Sequence, residues 1–261
     1  MSVTLDIADG VAVVRLADGA RRNPITLDLA TALAETVEGL PDDVGAVALL
    51  AEGDHFCVGG DVRAMHAAAD PGAAVRELAD AFHRTVRLLP SAPPVVAGVR
   101  GWAAGAGMSL VLACDVVVLG ESGALQPAYP GIGATPDGGM TWTLPRIVGE
   151  RVARSLLLRN AAVRAQDALW LGIADEVVAD ADVDARALEL ARTLAAGPRE
   201  ALRGAKRLVG ESAGRTLAEQ LDYEAESISR CVAGAEGREG VAAFVERRTP
   251  SFGSSGGSSA G

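Results

Sequence analysis

The chain opens with an alternation of apolar and polar residues that predicts a β-hairpin. Residues 3–8 alternate between the two types, and residues 11–16 are mostly apolar. Between them lies the pair Asp9-Gly10, which favours the positive φ angles of a tight turn. We therefore expect two antiparallel strands at the start of the fold.

Helical and strand patterns then alternate along the first half of the chain. Thr26 is predicted to cap a helix that has Asp28 in its first turn, at the positive end of the helix dipole. Residues 73–89 place apolar side chains at helical spacing and end before a proline cluster. Predicted strands lie at 44–51, 95–99 and 116–119, and a small-residue turn at 101–107 leads into a predicted helix at 108–113.

The second half is predicted to be mostly helical. It begins with a segment rich in Gly and Pro, residues 123–139, which is too long for a passive connection and is predicted to be functional or disordered. Helical patterns separated by Gly or Asn follow at 152–158, 165–171, 184–195, 198–209 and 216–231. The Gly- and Ser-rich end of the chain predicts a flexible tail.

Composition and charge narrow the classes of protein and partner. With 261 residues and 49% hydrophobic content, the chain can bury one sizeable core, as one large domain or a domain with an appendage. Its 34 acidic and 24 basic side chains give a net charge of −10, which argues against nucleic acid or anionic lipid as a partner. An anionic ligand would need local donors.

Cysteine usage and the N-terminal segment predict a cytoplasmic protein. Cys57, Cys114 and Cys231 are odd in number and include no C-x-x-C pair, so neither a disulfide framework nor a zinc site is indicated. The first ten residues lack the basic and apolar regions of a signal peptide, and the uncharged run at 101–114 is too short to span a bilayer.

Several well-known catalytic and nucleotide-binding motifs are missing from the sequence. The turn at 105–107 lacks the third glycine of a dinucleotide-binding fingerprint, and no P-loop, G-x-S-x-G or H-E-x-x-H motif occurs. His55, His66 and His83 are isolated from one another and are predicted to be surface or packing residues. No metal and no redox cofactor is expected.

Two glycine-rich turns remain, at residues 53–61 and 100–107. Each follows a predicted strand and precedes a predicted helix. The first amides of a helix have no internal acceptor, so two such turns that face one point would form a pair of donors for an oxyanion. Taken singly, each segment is more often an ordinary strand-to-helix turn than part of a site, because glycine turns are common.

These turns resemble the motifs of a known superfamily. Residues 56–62, FCVGGDV, resemble the F-C-A-G-A-D-L motif of the crotonase (enoyl-CoA hydratase/isomerase) superfamily, and residues 101–107, GWAAGAG, resemble its N-G-x-A-x-G-G-G turn. Three further segments match in the family's order and extend the resemblance over nearly the whole chain: 22–25 (RNPI), 135–139 (TPDGG) and 244–252 (FVERRTPSF).

The resemblance implies an α/β fold of repeated ββα units wound into a right-handed spiral. This acyl-CoA-binding core would comprise residues 1–197, followed by a helical trimerisation region at 198–252 and the flexible tail at 253–261. The implied partner is an acyl-CoA substrate of fatty-acid metabolism, bound as its coenzyme A thioester with no further cofactor. The implied assembly is a homotrimer or a homohexamer.

The resemblance also assigns site residues. The backbone N–H groups of Gly60 and Ala106 would form the oxyanion hole, with Ala106 in place of a usual glycine. The residues implied to line the CoA pocket are Arg22, Ile25, Gly59, Asp61 and Val62. Arg22 would offset the negative charge of the chain near the CoA phosphates.

The chain departs from the hydratases of this superfamily at two catalytic positions. Ser109 and Tyr129 occupy the positions of the two hydratase glutamates, and neither hydroxyl is a good base near neutral pH. Asp137 is the one acidic residue of the 123–139 segment and lies in a P-D-x-G pattern similar to that of dienoyl-CoA and ring-epoxide isomerases. It is a candidate to move a proton in a double-bond shift. An equally weighted interpretation is that Asp137 caps a helix beginning near Gly138.

The first hypothesis for function is therefore an enoyl-CoA isomerase that stabilises a thioester enolate. A second hypothesis is an acyl-CoA-binding protein that has lost catalysis along with both glutamates. A third is another chemistry of the superfamily, such as hydration with relocated acids, which would make the protein a lyase, or decarboxylation or thioester hydrolysis.

Overall fold

The predicted hairpin forms as expected in the computed structural model, which describes residues 2–252. Strand β1 (Val3–Ala8) pairs antiparallel with β2 (Val11–Leu16). The turn residues Asp9 and Gly10 have φ angles of 54° and 75°. The β1 strand is largely exposed, whereas β2 is largely buried, so the hairpin forms one edge of a larger sheet.

Seven further strands complete two sheets. They are β3 (Ala46–Ala51), β4 (Val95–Val99), β5 (Trp102–Ala104), β6 (Val116–Gly120), β7 (Ala124–Gln126), β8 (Val163–Arg164) and β9 (Glu176–Val178). The larger sheet has the order β1-β2-β3-β4-β6-β9 and is parallel from β2 onwards. The smaller sheet has the order β5-β7-β8. Because strand order follows chain order in the large sheet, each crossover advances by one strand.

Ten α-helices connect and cover the sheets within the described residues. They are α1 (Leu27–Glu38), α2 (Val62–Ala67), α3 (Pro71–Leu88), α4 (Ala106–Leu112), α5 (Met140–Arg159), α6 (Ala165–Trp170), α7 (Val183–Ala195), α8 (Arg199–Glu211), α9 (Leu217–Ala233) and α10 (Ala235–Glu246). Thr26 caps α1 as predicted, because its side chain accepts a hydrogen bond from the Leu29 N–H.

The ββα repeat explains how the two sheets are built together. In successive units, a strand of the large sheet is followed by a short strand of the small sheet and then by a helix, as in β4-β5-α4 and β6-β7-α5. The preceding unit uses β3 and α2, with an isolated bridge between Cys57 and Ala103 extending the small sheet. The two glycine-rich turns therefore lie next to each other at the small sheet.

Several element boundaries differ from the sequence prediction. The turn at 101–107 contains β5, and the 123–139 segment contains β7 and a 3-10 turn at Tyr129–Ile132. Helix α4 begins at Ala106, two residues before its predicted start. Helix α5 is much longer than the predicted 152–158 segment because it continues across a kink at Gly149. Helix α10 lies beyond the last predicted helix.

The core has two parts on opposite faces of the large sheet. One cluster lies between the two sheets and the helices that cover them and includes Leu33, Phe56, Phe82, Met108 and Leu125. The smaller cluster packs α7 against the other face of the large sheet. Each fully buried side chain of this size contributes about 1.5–3 kcal/mol by leaving water.

The C-terminal helices expose apolar side chains on the surface of the chain. Phe244 and Ile228 are 86% and 65% exposed, respectively. In the described part of the chain, no helix combines the length and hydropathy needed to cross a membrane. The predicted flexible tail at 253–261 lies outside the described residues.

Candidate active site

The two glycine-rich turns pack directly against each other, backbone to backbone. A Cβ placed on Gly59 would lie 3.0 Å from the Ala104 carbonyl oxygen and 3.6 Å from the Gly105 Cα. Both glycines have positive φ angles, 95° at Gly59 and 53° at Gly105. A side chain at Gly59 would crowd the second turn, and the backbone conformation at both positions favours glycine. The residues that follow them, Gly60 and Ala106, are therefore held side by side.

Hydrogen bonds fix the register of these turns and leave two donors free. The Ile25 N–H donates to the Gly59 carbonyl at 2.7 Å, and the Asp61 N–H donates to the Ile25 carbonyl at 3.1 Å. Gly60, between them, directs its N–H away from Ile25. Ala106 is the first residue of α4, where an N–H has no acceptor inside the helix. Within residues 2–252, neither the Gly60 nor the Ala106 N–H donates to a protein acceptor.

Apolar side chains pack against Gly60. A Cβ at Gly60 would meet the Met65 methyl group at 2.6 Å and the Leu78 Cδ2 at 3.8 Å. These two residues come from α2 and α3, which pack on each other. Gly60 therefore lies in apolar surroundings, where the Met65 methyl group occupies the space that a side chain would take.

Ser109, Tyr129 and Asp137 come together one turn of α4 beyond Ala106. The Tyr129 hydroxyl donates to Asp137 Oδ1 at 2.5 Å. Ser109, which is 1% exposed, donates its hydroxyl to the Asp137 backbone carbonyl at 2.9 Å and lies 3.2 Å from the Tyr129 hydroxyl oxygen. All three predicted catalytic side chains thus belong to one hydrogen-bonded cluster.

The interpretation of Asp137 as a helix cap is wrong. Helix α5 begins at Met140, and its N-cap is Gly139, with no side-chain capping bond. The Asp137 carboxylate instead accepts from Tyr129, and only its backbone carbonyl accepts the Met140 N–H. Gly138 and Gly139 both have positive φ angles, which turn the chain so that the carboxylate points away from the helix end.

His83 also belongs to this cluster, although its side chain is partly exposed. Its Nε2 lies 3.5 Å from Asp137 Oδ2 and accepts the Gly138 N–H at 3.0 Å. The residue before it, Phe82, is buried and packs against Gly138. No spacing in the sequence connects α3 with the loop before α5, so this contact is a product of the tertiary fold.

The remaining histidines agree with their prediction. His55 accepts the Trp102 N–H on its Nδ1 at 3.2 Å and so helps to join the two glycine-rich turns. His66 is exposed on α2.

The environment of Tyr129 keeps its phenol protonated. Burial raises the pKa of Tyr129 well above its ordinary value, and the neighbouring Asp137 charge and hydrogen bond raise it further. The phenol therefore acts as a hydrogen-bond donor to the carboxylate over the whole neutral range. It is a poor candidate for a base.

The residues predicted to line a CoA pocket lie close together but differ in how they are exposed. Arg22 is exposed and has a φ angle of 66°, whereas Ile25 is 1% exposed and belongs to the core. Val62 is 47% exposed. Asp61 caps α2 through the Arg63 and Ala64 N–H groups.

The Asp61 carboxylate also has a second partner. Its Oδ2 forms an ion pair with Arg21 at 2.6 Å. Because these contacts occupy both carboxylate oxygens, Asp61 is suited to fixing the turn, and Arg22 and Val62 remain open to a ligand.

Cys57 lies beneath the two turns as a structural residue. Burial raises the pKa of its thiol to about 12, so a reactive thiolate does not form near neutral pH. Its carbonyl oxygen lies 2.3 Å from where a Cβ on Gly107 would be, which explains glycine at that position. No cluster of three metal-ligating side chains occurs among residues 2–252.

Similarity to known proteins agrees with this geometry. The profile of the enoyl-CoA hydratase/isomerase family matches residues 6–255. The chain is 32% identical to 1,2-epoxyphenylacetyl-CoA isomerase of Escherichia coli K12, over 94% of this chain and 96% of that protein. It is 31% identical to 4-chlorobenzoyl coenzyme A dehalogenase-2 of an Arthrobacter species, over 93% and 90% of the two chains.

A solved structure supports the same relationship at the level of the fold. The crystal structure of an enoyl-CoA hydratase from Polaromonas sp. JS666 matches with a TM-score of 0.90 at 30% identity, covering 95% of this chain and 98% of that one. The predicted fold class and the predicted superfamily are both confirmed. The chain belongs to the enoyl-CoA hydratase/isomerase family of the crotonase superfamily.

Proposed function

We propose that the protein is an acyl-CoA isomerase in which Asp137 moves a proton between two carbons of the substrate. The observation that carries the proposal is the Asp137 carboxylate, which lies in the same cluster as Ser109, one turn along α4 from the free Ala106 N–H. A thioester enolate needs both a donor pair for its oxygen and a base beside its carbon. The Gly60 and Ala106 N–H groups supply the donor pair, or oxyanion hole.

The proposed reaction consists of two proton transfers. Asp137 Oδ2 takes a proton from one carbon of the acyl chain while the negative charge moves to the thioester oxygen. The same oxygen of Asp137 then returns a proton to a different carbon, and the double bond shifts. Electrons and protons balance within substrate and protein, so the reaction requires no further cofactor.

Hydration is a weaker proposal for this chain. The positions that resemble the hydratase glutamates hold Ser109 and Tyr129, and the raised pKa of Tyr129 keeps it from activating water as a base. Asp137 supplies a single carboxylate, and one of its oxygens already accepts a hydrogen bond from Tyr129. A reaction that uses one acid–base group in two steps therefore suits the site better.

A second candidate function is displacement of halide from an aromatic acyl-CoA. The similarity to the Arthrobacter 4-chlorobenzoyl coenzyme A dehalogenase favours it. Carboxylates act as nucleophiles in covalent catalysis. In this reaction Asp137 would bond to the ring carbon, chloride would leave, and water would cleave the resulting ester and regenerate the carboxylate.

The proposed partner is a second copy of the chain in addition to the acyl-CoA. Several C-terminal apolar side chains are exposed, and a hollow of about 320 Å³ between α9 and α10 is lined by Val232, Val241 and Val245. Exposed apolar patches of this kind commonly mark interfaces. We infer a homotrimer or homohexamer built through residues 198–252. A place in fatty-acid metabolism and in the cytoplasm stays a prediction.

A substrate panel tests the proposal directly. The purified protein is incubated with 3-enoyl, 2-enoyl and dienoyl thioesters of CoA, with the ring epoxide of phenylacetyl-CoA and with 4-chlorobenzoyl-CoA. Isomeric products from the enoyl, dienoyl or epoxide thioesters support the proposal, whereas chloride release supports the second candidate. If every thioester binds but none reacts, both are wrong and the protein is an acyl-CoA-binding protein.

A further inference from the structure

We propose that His83 is a positioning residue that exchanges the proton held by Asp137 with solvent. The proposal rests on the isomerase function above and assigns a role to a residue outside the predicted site. It concerns the fate of the proton between its removal from the substrate and its return. Tyr129 and Ser109 do not provide such a route, because their hydroxyl protons are already directed at Asp137.

The two carboxylate oxygens of Asp137 have different surroundings. Oδ1 accepts the Tyr129 hydroxyl at 2.5 Å, whereas Oδ2 lies 3.5 Å from His83 Nε2. A proton taken from substrate will reside on Oδ2, since Oδ1 already accepts a short hydrogen bond. The protonated oxygen then lies beside an imidazole nitrogen.

The hydrogen bond from Gly138 defines the state of that nitrogen. Because the Gly138 N–H donates to His83 Nε2 at 3.0 Å, Nε2 carries a lone pair and the ring proton is assigned to Nδ1. Gly138 is fixed in place, since a Cβ there would lie 2.5 Å from the Phe82 ring and 2.8 Å from the Ser109 Cβ. The acceptor state of Nε2 is therefore built into the loop.

This arrangement allows a complete proton path. His83 Nε2 has one lone pair, so it releases the Gly138 hydrogen bond as it takes the proton from Asp137 Oδ2. The transfer restores the carboxylate and forms an imidazolium that also carries a proton on Nδ1. The imidazolium releases the Nε2 proton to water, and the reverse sequence places a proton from water on Nε2 and then on Asp137 Oδ2. Because Oδ2 and Nε2 lie 3.5 Å apart, beyond hydrogen-bond distance, the transfer requires one of the two side chains to move closer by about 0.5 Å.

His83 is also open to the solvent that this path requires. Its side chain is 32% exposed, and the Asp137 side chain is 31% exposed. The buried Phe82 next to it anchors that part of α3, so the imidazole is held at the boundary between the site and water. A histidine in this position connects a half-buried carboxylate to bulk solvent.

The proposal predicts which hydrogen isotope the product carries when the reaction runs in D2O. If His83 exchanges the proton during each turnover, the isomer formed in D2O carries deuterium from solvent at the carbon that Asp137 protonates. Without His83, Asp137 returns the hydrogen that it removed. The fraction of product molecules that carry solvent deuterium reports the exchange and not the stability of the protein.

The test compares the wild type with His83→Gln during isomerisation of a 3-enoyl-CoA in D2O. Glutamine can still accept the Gly138 N–H but cannot carry a proton away. We expect at least about fivefold less solvent deuterium per product molecule in the variant, with smaller changes in kcat. The matched control is His66→Gln on the exposed face of α2, which should incorporate as much deuterium as the wild type. Equal incorporation in the wild type and His83→Gln overturns the proposal.

A second measurement separates this proposal from the proposed function. Nitrogen-15 NMR of histidine-labelled protein without substrate should show His83 Nε2 as an unprotonated acceptor and Nδ1 as protonated. A protonated Nε2 in the neutral ring contradicts the proton path whether or not any substrate reacts. If Nε2 is unprotonated but no thioester on the panel turns over, the isomerase proposal is wrong. The proposed role of His83 in proton exchange is then wrong as well, because it depends on that function.

Discussion

The Tyr129 hydroxyl donates a 2.5 Å hydrogen bond to Asp137 Oδ1 and leaves Oδ2 open to the site and to His83. This relationship gives the two oxygens of one carboxylate separate tasks. Oδ1 holds the side chain in a fixed orientation, and Oδ2 is available for chemistry. The loop before α5 is therefore organised around the carboxylate and not around the helix end.

Asp137→Asn is expected to nearly abolish isomerisation, with a loss of about 10²–10⁴ in kcat. The amide keeps the shape of the side chain and can still accept from Tyr129, but it cannot take a proton from carbon. Stability should change little, because Asp137 does not cap α5. Steady-state kinetics and thermal unfolding check both parts. Full activity of this variant together with complete loss in Tyr129→Phe would shift the chemistry to the phenol.

Tyr129→Phe should reduce kcat less than Asp137→Asn does. Loss of a hydrogen bond to a charged group costs about 1.5–3 kcal/mol, or roughly 10- to 100-fold in rate, and Ser109→Ala should cost less because its partner is a backbone carbonyl. Steady-state kinetics of Tyr129→Phe and Ser109→Ala under the same conditions shows which substitution lowers kcat more. A Ser109→Ala variant slower than Tyr129→Phe would contradict it.

The raised pKa of Tyr129 predicts that the difference in stability between the wild type and Tyr129→Phe depends on pH. Above about pH 10 the unfolded phenol loses its proton while the native one retains it, so the native state loses stability as pH rises. The stability advantage of the wild type over Tyr129→Phe should therefore shrink in strongly alkaline solution. Chemical denaturation of both proteins at neutral and alkaline pH measures the difference.

The sequence predicts the two glycine-rich turns well because their conformation depends on local backbone properties. Gly59 and Gly105 adopt positive φ angles, which favour glycine, and the turns approach each other closely at Gly59, so the requirement is visible in the residue type. The strand and helix that flank each turn are also visible as patterns. Only their boundaries shift, as at Ala106, where α4 starts earlier than expected.

Proton chemistry is less visible in the sequence because it depends on contacts between distant segments. His83 follows buried Phe82 in an ordinary amphipathic helix, and nothing in its neighbourhood indicates a carboxylate partner. For Asp137, capping and catalysis require the same residue type, and two positive-φ glycines separate its carboxylate from the start of α5. Their effect on the direction of the carboxylate requires three-dimensional coordinates.

The site should bind acyl-CoA in strong preference to the free acid. Arg22 is exposed beside the first turn, where a guanidinium can pair with CoA phosphates. Arg22→Ala should weaken binding roughly tenfold, and raised salt should reduce the difference. Calorimetry measures the affinity of the wild type, of Arg22→Ala and of a control variant, Arg151→Ala. Arg151 is an exposed residue of α5. Equally weak binding of thioester and free acid would remove CoA recognition from this surface.

The exposed apolar side chains of α9 and α10 should be covered in the assembled protein. Phe244→Asp is expected to shift the protein from a trimer or hexamer towards monomer, because a buried charge at an apolar interface is costly. Sedimentation velocity measures the distribution. The control is Leu5→Asp on the exposed hairpin strand, where the side chain is 43% exposed. A wild type that sediments as a monomer would exclude the interface.

Ala106→Pro tests the donor turn itself, because proline removes the N–H and leaves the rest of the backbone in place. Proline is well tolerated at the first position of a helix, which Ala106 occupies in α4. The preceding Gly105 has a ψ angle of −123°, outside the helical conformation that proline disfavours in its neighbour. The variant should therefore fold, which circular dichroism and thermal unfolding can verify.

Loss of this one donor should cost about 2.7–4 kcal/mol of transition-state stabilisation, or about 10²–10³ in kcat. Ala106→Gly keeps the N–H and separates the loss of the donor from the loss of the methyl group. Binding of a saturated acyl-CoA should change much less than the rate, since the donor acts most strongly on the charged enolate oxygen. A folded Ala106→Pro protein with the rate of Ala106→Gly would show that the enolate is stabilised elsewhere, because a second donor at Gly60 cannot replace a missing one without a loss in rate.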